Sequence, residues 1–371
     1  MNKRWIGLVA VIATSALVLT ACGDDDDGGS GSSASPTAIP TGTTVGVILP
    51  DTESSARWEN NDRPYLEAAF EAAGVGADIQ NANGSVSKFG TLCESMINEK
   101  VRVLMITNLD SASGAACIKK AQAAGVRTID YDRLTLGGKA DFYVSFDNVA
   151  VGREIGDGLV KCLKDAKIES GGVVELNGSP TDNNATLFKQ GYNKAITDAG
   201  YDILTSQAVP DWNNTRAGTI FEQIFQRYGS QIKGVASAND GLGGAVVSVL
   251  QRNGQAGKIP ATGQDATDEG LQRVLLGTQC VTVYKSIKAE AAKAAALAVS
   301  LVKGDTAGAE AQATGSVEDT ELKTDVRSVL LQPVGIFPEN VKDVVADGFT
   351  TAGKLCTTSQ LKAACEKYGV S

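Results

Sequence analysis

Residues 263–285 carry two polar side chains whose types and spacing suit a small-molecule site. The stretch GQDATDEGLQRVLLGTQCVTVYK predicts a strand end with Asp265, a short helix, and a second strand that ends at Lys285. In open α/β sheets, ligands bind outside the carboxyl ends of the strands. A carboxylate accepts hydrogen bonds and an ammonium group donates them, so the pair suits a neutral ligand rich in hydroxyl groups. The alternative is that Asp265 caps the following helix and Lys285 is a solvated surface residue.

Alternating strands and helices must position these side chains. The first series predicts strands near residues 45–50, 77–80, 101–107, 126–131 and 142–146, with helices at 63–73, 86–99 and 112–124. The pattern then restarts, with strands near 172–176, 203–208, 234–237 and 259–263 and helices at 149–163, 185–199, 215–228 and 242–253. Such alternation builds parallel sheets with helices on both faces.

Two domains are expected, because the pattern occurs twice and 371 residues are too many for one core. The predicted fold class is α/β, with two doubly wound parallel-sheet domains joined by a three-segment hinge near Asp147, Gly277 and Pro333. A long Ala-rich helix at 287–303 and a strand at 326–331 are assigned to the first domain, and a helix at 338–346 to the second. The predicted limits are residues 44–147 plus 278–332 for the N-terminal domain and 148–277 plus 333–371 for the C-terminal domain.

The start of the chain predicts export. Lys3 and Arg4 precede an apolar run that ends in Leu-Thr-Ala-Cys, so residues 1–21 read as a signal peptide. The LTAC string resembles the lipobox of bacterial lipoproteins, which implies lipidation of Cys22 and an extracytoplasmic protein anchored to the cell membrane. A plain signal peptide and an uncleaved anchor are the alternatives. Residues 22–43 are rich in Asp, Gly, Ser and Thr and predict a flexible tether.

Charge and residue types exclude several classes of function. Two of the 34 basic residues lie in the signal peptide, so residues 22–371 carry 32 Lys plus Arg against 43 Asp plus Glu, a net charge of −11. A nucleic-acid partner is not expected for so acidic a chain. The chain has no histidine, which removes His-based zinc sites and Ser-His or Cys-His nucleophiles. No cofactor or metal is expected, although a carboxylate pair for hydrolysis stays possible.

Six cysteines follow Cys22, an even number that favours disulfides in an exported protein. Cys356 and Cys365 lie close together near the C-terminus and are expected to close a short loop. Cys93 and Cys117 fall on consecutive predicted helices that flank one strand, where they can form a second bond. For Cys162 and Cys280, a bond and two buried free thiols both stay open.

The two tryptophans beyond the signal peptide lie in polar loops after predicted strands. Trp58 is in ESSARWENND and Trp212 is in VPDWNNT. An indole in such a loop is a natural partner for the weakly apolar face of a sugar ring. For each tryptophan taken singly, the alternative is packing over a domain edge.

With these residues in place, the chain resembles the periplasmic sugar-binding proteins of the ribose and xylose type, and among them the D-xylose-binding proteins of ABC importers. The matching strings are ARW at 56–58, YDR at 131–133, FYVSFDN at 142–148, GSPTDNNA at 178–185, PDW at 210–212, SAND at 237–240, GQDA at 263–266 and TVYK at 282–285. The resemblance covers almost all of the chain from Val45 to Phe349.

The resemblance implies a sugar site at the cleft between the two domains. It places Trp58 and Trp212 against the ring and assigns sugar hydroxyls to eight polar residues: Arg57, Asp132, Arg133, Asp182, Asn184, Asn239, Asp265 and Lys285. Carboxylates accept from hydroxyl groups, and Arg, Lys and Asn donate to them. The alternative for YDR is a surface ion pair, and for DNN a helix N-cap.

One loop departs from the resemblance. Residues 52–56 read Thr-Glu-Ser-Ser-Ala where the family has a longer charged run before RW. This loop would close over one edge of the sugar, so the departure bears on which sugar is bound.

The predicted function is a monomeric, lipid-anchored receptor that captures a monosaccharide, D-xylose first and glucose, another pentose or a polyol next, and delivers it to the permease subunits of an ABC transporter. It is not expected to be an enzyme. The alternatives are a sugar sensor for a membrane receptor and a carbohydrate hydrolase that uses Asp182 and Asp265. Turnover of aryl glycosides would favour the hydrolase.

Replacing Cys22 tests the lipid anchor. We expect Cys22→Ser to leave the protein unlabelled by a radioactive fatty acid in growing cells and to shift it out of the membrane fraction, because the thiol is the acceptor of the lipid. A variant that still partitions fully into the membrane would contradict the lipobox assignment.

Overall fold

The computed structural model describes residues 42–371. The predicted signal peptide, the lipidation site at Cys22 and the first part of the tether lie outside the described residues. Within residues 42–371, helices and strands alternate in two series. A last segment then adds elements to the sheets of both series.

The first series builds most of a seven-stranded sheet. Its elements are β1 Thr43–Leu49, α1 Arg63–Ala72, β2 Gly76–Asn81, α2 Val86–Asn98, β3 Val103–Ile106, α3 Ser111–Ala123, β4 Arg127–Tyr131 and β5 Phe142–Phe146. Strands such as β3 are buried at every position because helices cover both faces of the sheet. The continuous apolar runs that predicted these strands have this cause.

The second series builds a smaller sheet. Its elements are α4 Asn148–Asp165, β6 Gly172–Asn177, α5 Asn183–Asp198, β7 Asp202–Ala208, α6 Asn214–Tyr228, β8 Ile232–Ser237, α7 Asp240–Arg252, α8 Asp268–Leu275 and β9 Thr282–Tyr284. Strands β7, β6 and β8 pair in parallel. The strand predicted at 259–263 forms only isolated bridges, Val235 to Ala261 and Thr262 to Val281, which continue the sheet toward β9.

The last segment serves both sheets. Its elements are α9 Ile287–Val302, α10 Thr306–Gln312, β10 Gly315–Asp319, β11 Thr324–Leu331, β12 Val334–Ile336, α11 Val341–Ala346, α12 Ala352–Leu355 and α13 Ser359–Tyr368. The large sheet has the order β10-β11-β5-β4-β3-β1-β2, with all pairs parallel except the hairpin β10–β11. Strand β12 pairs antiparallel with β9. We call the elements packed on the large sheet the first lobe and those packed on β6–β9 and β12 the second lobe.

Each lobe has its own core. In the first lobe, side chains of α1 and α9, including Phe70 and Leu297, pack on one face of the sheet, and side chains of α2 and α3, including Phe89, pack on the other. In the second lobe, α4, α5, α6 and α7 cover both faces of the three parallel strands. The predicted pair of doubly wound parallel-sheet domains is therefore confirmed.

The limits of the domains stay a prediction. The pairing of strand β9 leads us to revise the position of one crossing segment. The backbone amide of Asp265 donates to the carbonyl of Val283 at 2.9 Å, and that of Asp147 donates to the carbonyl of Leu331 at 2.9 Å. Because β9 pairs with second-lobe residues, we propose that the middle crossing segment follows Tyr284 rather than lying near Gly277. The crossings near Asp147 and Pro333 keep their predicted places.

Three disulfides are present among the described residues. Cys93–Cys117 and Cys356–Cys365, the two pairs predicted, have Cα–Cα distances of 5.9 and 6.1 Å. Cys162 and Cys280, left open by the sequence, are also bonded, with a Cα–Cα distance of 6.3 Å. The last bond joins α4 to Cys280, which lies two residues before β9. No helix within residues 42–371 combines the length and apolar character needed to span a membrane.

The three disulfides should stabilise the protein in the order of their loop lengths. The sequence separations are 118, 24 and 9 residues for Cys162–Cys280, Cys93–Cys117 and Cys356–Cys365. Loop-closure entropy in the unfolded chain then predicts losses of about 5, 3.5 and 2.5 kcal/mol when each pair is replaced by serine. Urea unfolding of the three double variants measures the order of their free energies of unfolding. A Cys356→Ser/Cys365→Ser variant that is as unstable as Cys162→Ser/Cys280→Ser would contradict the predicted order.

Candidate functional site

A small cavity between the two lobes collects the residues singled out from the sequence. Its cavity volume is about 30 Å³, and all ten predicted residues lie in its wall. The wall also contains four residues outside these ten: Ser54 and Ser55 of the loop expected to close over the sugar, Gln264 beside Asp265, and Phe188.

The side chains meet because each follows the carboxyl end of a strand. In the first lobe, Arg57 and Trp58 follow β1 and the Asp132–Arg133 pair follows β4. In the second lobe, the strand ends supply Asp182 and Asn184 after β6, Trp212 after β7, Asn239 after β8 and Lys285 after β9. Parallel strands end at one edge of a sheet, so loops distant in sequence are adjacent here.

Three of these positions have left-handed backbone conformations. Asp132, Trp212 and Asp265 have φ values of 64°, 55° and 96°. Residues other than glycine rarely adopt this region, and it concentrates at sites where the surrounding structure dictates the geometry. The strain lies at the strand ends that aim side chains into the cavity.

A buried guanidinium organises the first-lobe wall. Arg57 forms two hydrogen bonds with Asp62, one from Nε at 2.9 Å and one from Nη2 at 2.6 Å. Its Nη1 donates to Asp132 at 2.7 Å and Nη2 also donates to Glu290 of α9 at 2.7 Å. Burial acts to lower the pKa of Arg57, but Asp62, Asp132 and Glu290 raise it well above its ordinary value. The guanidinium is therefore charged and fixed in orientation.

Asp132 is the acceptor at the centre of the site. Burial acts to raise the pKa of this carboxyl, but Lys285, Arg57 and Arg133 outweigh burial and lower it to about 2. Nζ of Lys285 lies 3.7 Å from Oδ2 of Asp132. Asp132 is therefore a carboxylate at every physiological pH and can accept hydrogen bonds from a ligand.

Polar pairs join the two lobes across the cavity. Nε of Arg133 lies 3.0 Å from Oδ2 of Asp182, and Nδ2 of Asn184 donates to the backbone carbonyl of Asp132 at 2.9 Å. Nδ2 of Asn239 donates to the backbone carbonyl of Ser54 at 3.0 Å. These polar pairs join the lobes at a cavity whose wall also contains the aromatic rings of Trp58, Trp212 and Phe188.

Asp182 combines the two roles that the sequence analysis weighed against each other. Its carboxylate accepts from the backbone amide of Asn184 at 2.9 Å as the N-cap of α5, and it also lines the cavity. Burial raises the pKa of Asp182, while Arg133 opposes the shift. The YDR pair is likewise no surface ion pair, because Asp132 and Arg133 are both buried.

Two tryptophans form aromatic walls on opposite lobes. Trp58 and Trp212 are only 3% and 6% exposed. The indole of Trp212 donates to Asp182 at 3.1 Å and packs on Gly178, where an added Cβ would lie 2.1 Å from the ring. The indole of Trp58 donates to Ser54 at 3.0 Å, and the guanidinium of Arg57 lies 4.4 Å from its ring centre. Each indole is therefore held by a hydrogen bond and by a contact at one face.

Sequence reasoning missed several residues of the site. Phe188 lies four residues after Asn184 on α5, a spacing that puts both on one helix face, so the pattern contained a usable signal. Glu290 is a fully buried acid in an Ala-rich helix, which marks it as unusual. The sequence indicates the loop that contains Ser55 but not Ser55 itself, because its place in the wall depends on how the loop before Arg57 folds.

The site offers hydrogen bonds in both directions beside aromatic surfaces. Carboxylates accept, while Arg, Lys and Asn donate, which matches hydroxyl groups that do both. No cluster of His, Cys, Asp and Glu with metal-binding geometry occurs within residues 42–371. The arrangement therefore suits reversible binding of a small polyhydroxylated molecule.

Comparison with known proteins agrees with this geometry. Residues 45–306 match the family described as periplasmic binding protein domain. The chain is 32% identical over 316 residues to the D-xylose-binding periplasmic protein of Escherichia coli (strain K12), covering 84% of this chain and 92% of that protein. It is 29% identical over 331 residues to a multiple sugar-binding periplasmic receptor of Rhizobium radiobacter, covering 82% of this chain and 90% of the receptor.

A solved structure shows the same likeness. A carbohydrate transporter solute binding protein from Chloroflexus aurantiacus, in complex with D-glucose, superposes with a TM-score of 0.74 at 26% identity and covers 84% of this chain and 98% of that one. The chain therefore belongs to the type I periplasmic binding proteins, the sugar-binding solute-binding proteins of ABC transporters. The family consists of extracytoplasmic binding proteins rather than enzymes, and the family predicted from the sequence is confirmed.

Replacing Glu290 tests the charge balance around Arg57. Burial raises the pKa of Glu290 well above its ordinary value, and repulsion from Asp132 and Asp62 adds to the shift that Arg57 opposes. When the pKa of an acid is higher in the folded than in the unfolded protein, its contribution to stability is fully present below the unfolded-state pKa, about 4.3 for Glu. This contribution is lost as the pH rises through the folded-state pKa. We therefore expect Glu290→Gln to match the parent near pH 4.5 and to gain stability relative to it as the pH approaches 8.

Urea unfolding of both proteins at several pH values measures this difference. Titrating groups away from this cluster are common to both proteins and cancel, whereas Asp62 and Asp132 interact with Glu290 and contribute to the measured difference. A difference that stays constant between pH 4.5 and 8 would show that Glu290 is ionised throughout.

Proposed function

We propose that this protein captures a single monosaccharide, D-xylose in the first place, in the cavity between its lobes and delivers it to the permease subunits of an ABC transporter. A lipid on Cys22 would keep it at the outer face of the cell membrane, where residues 22–43 act as a tether. The observation that carries the proposal is the convergence of eight charged or amide side chains and two indoles from both lobes on one small cavity.

Hydrogen-bonding chemistry supports a sugar as the ligand. Asp132 and Asp265 would accept from hydroxyl groups, and Arg57, Lys285 and Asn184 would donate to them. Hydrogen bonds and ion pairs among these side chains already fix their positions, so sugar binding needs little reordering of side chains. The indoles of the two lobes would then cover the weakly apolar faces of the ring.

Relatives support D-xylose ahead of other sugars. The relative from Escherichia coli is named for D-xylose. Glucose, other pentoses and polyols follow, because a relative named for multiple sugars has similar identity.

Release of the sugar would require the lobes to separate. Contacts across the cavity are polar pairs such as Arg133 with Asp182, and water can replace them when the cleft opens. Closure about a hinge of three crossing segments would bury the sugar, and opening would release it to the permease. The protein would act as a monomer that changes nothing chemically.

Calorimetric titration with pentoses, hexoses and pentitols tests the proposal. We expect D-xylose to bind most tightly and to change the intrinsic fluorescence, because both tryptophans described here line the cavity. Asp265→Ala should weaken binding about 30- to several-hundred-fold, equivalent to roughly 2 to 4 kcal/mol, because it leaves sugar donors without an acceptor. Trp212→Ala should cost about 1 to 3 kcal/mol through lost apolar contact.

A surface acid provides the matched control. Asp165 forms an exposed pair with Lys161 at the end of α4, so Asp165→Ala should leave affinity unchanged. All variants should keep the parent melting temperature within a few degrees. If Asp265→Ala and Trp212→Ala bind every sugar as the parent does, the sugar site lies elsewhere.

A further inference from the structure

A second cavity adjoins the sugar cavity on the side of the loop before Arg57. We call it the outer cleft. Its cavity volume is about 650 Å³, against about 30 Å³ for the inner cavity. The two cavities share four wall residues, Ser54, Ser55, Asn239 and Asp265. The hydrogen bond from Asn239 to the backbone carbonyl of Ser54 lies at this border, so a ligand that spans both cavities displaces it.

The border between the cavities contains an unused polar group. Oγ of Ser55 is buried and forms no hydrogen bond within the described part of the chain. Its neighbour Ser54 is held firmly, since its backbone amide donates to Asp51 at 2.7 Å and its carbonyl accepts from Asn239 at 3.0 Å. A buried hydroxyl without a partner is costly, and a ligand oxygen at the border would supply one.

Beyond the border, the start of α6 presents neutral hydrogen-bonding groups. Asn213, Asn214 and Thr215 line the outer cleft there. The side-chain oxygen of Asn214 would lie 2.4 Å from a Cβ at position 241, so only glycine at the start of α7 allows this amide its place. Amides and hydroxyls of this kind suit the hydroxyl groups of a second sugar ring.

The charge of the outer cleft disfavours acidic ligands. Its wall contains four acids, Glu53, Asp240, Asp265 and Glu269, and one cation, Arg273. The guanidinium of Arg273 already donates to the backbone carbonyl of Asp240 at 2.7 Å. A uronate or phosphate group would meet an excess of negative charge, so an anionic ligand is disfavoured.

We infer that the outer cleft is a second saccharide subsite, and that the protein binds a neutral pentose disaccharide with one ring in the inner cavity and the other in the outer cleft. The inference rests on the proposed function, because the inner ring uses the monosaccharide site. The short Thr-Glu-Ser-Ser-Ala loop at residues 52–56 supports it, since residues of this loop line both cavities.

Titration of the purified protein with D-xylose, with xylobiose and with a glucuronic-acid-substituted xylobiose tests the inference. Either ring of xylobiose can occupy the inner cavity, so this probe tests both orientations of a bound disaccharide. We expect xylobiose to bind, and the uronate-bearing probe to bind at least tenfold more weakly.

Two tryptophan substitutions on α6 locate the second ring. Thr215 lines the outer cleft and not the inner cavity, whereas Thr219 lies one turn further along the helix and lines neither. We expect Thr215→Trp to weaken xylobiose binding at least tenfold while D-xylose affinity stays within twofold. Thr219→Trp is the matched control and should change neither.

The outcomes separate the inference from the proposed function. Binding of D-xylose without binding of xylobiose overturns the second subsite and leaves the proposed function in place. Xylobiose affinity that is the same in Thr215→Trp and in the parent also overturns the second subsite. If Thr215→Trp in addition slows the association of D-xylose, the outer cleft is only an entry path. Failure of both sugars to bind overturns the proposed function together with the inference.

Discussion

The sharing of one buried guanidinium by three carboxylates is the constraint on which the rest of this site depends. Asp62, Asp132 and Glu290 all contact Arg57, and all four side chains are at most 4% exposed. Removing charges from water costs several kcal/mol per ion, and pairing returns this only with good geometry and satisfied hydrogen bonds. The surrounding structure must therefore hold four segments in register: the loop after β1, the following helical turn, the loop after β4, and α9.

That requirement links the candidate site to the fold of the first lobe. Helix α9 packs its Ala-rich face on the large sheet and reaches the cavity through Glu290. Asp132 faces the cavity, whereas Asp62 and Glu290 support Arg57 from behind. The pKa of Asp132 is low and that of Glu290 is high although both contact the same cation, because Asp132 also faces Lys285 and Arg133. Position within the network, and not residue type, decides which acid accepts hydrogen bonds from a ligand.

In the second lobe, the groups that cap helices also line the cavity. Asp182 and Asn239 each accept a backbone amide at the start of a helix and present their remaining atoms to the cleft. Capping orders these side chains before a ligand arrives, which lowers the entropic cost of binding. The lobes meet at the cavity through such polar groups, and their separation also exposes the indoles of Trp58 and Trp212 that line it.

Much of this architecture follows from the sequence alone. Strands such as β1 and β3 are continuous apolar runs between turn residues, and the spacing of apolar residues marks the helices, so local patterns suffice for the alternation and hence for parallel sheets. The ten site residues were also named from the sequence, Asp265, Lys285 and the two tryptophans from their places after predicted strands and the other six from the family resemblance. Their role in binding sugar stays a prediction.

Tertiary structure decided what local patterns do not contain. The bond between Cys162 and Cys280 joins positions 118 residues apart, and nothing in the neighbourhood of either indicates the other. The stretch at 259–263 has strand character, but its place between β8 and β9 leaves it only isolated bridges. Glu290 and Ser55 enter the site because a distant helix and a short loop pack where they do. Long-range packing determines the charge state of Glu290 and leaves the hydroxyl of Ser55 without a hydrogen-bond partner. Neither property is visible in the sequence pattern.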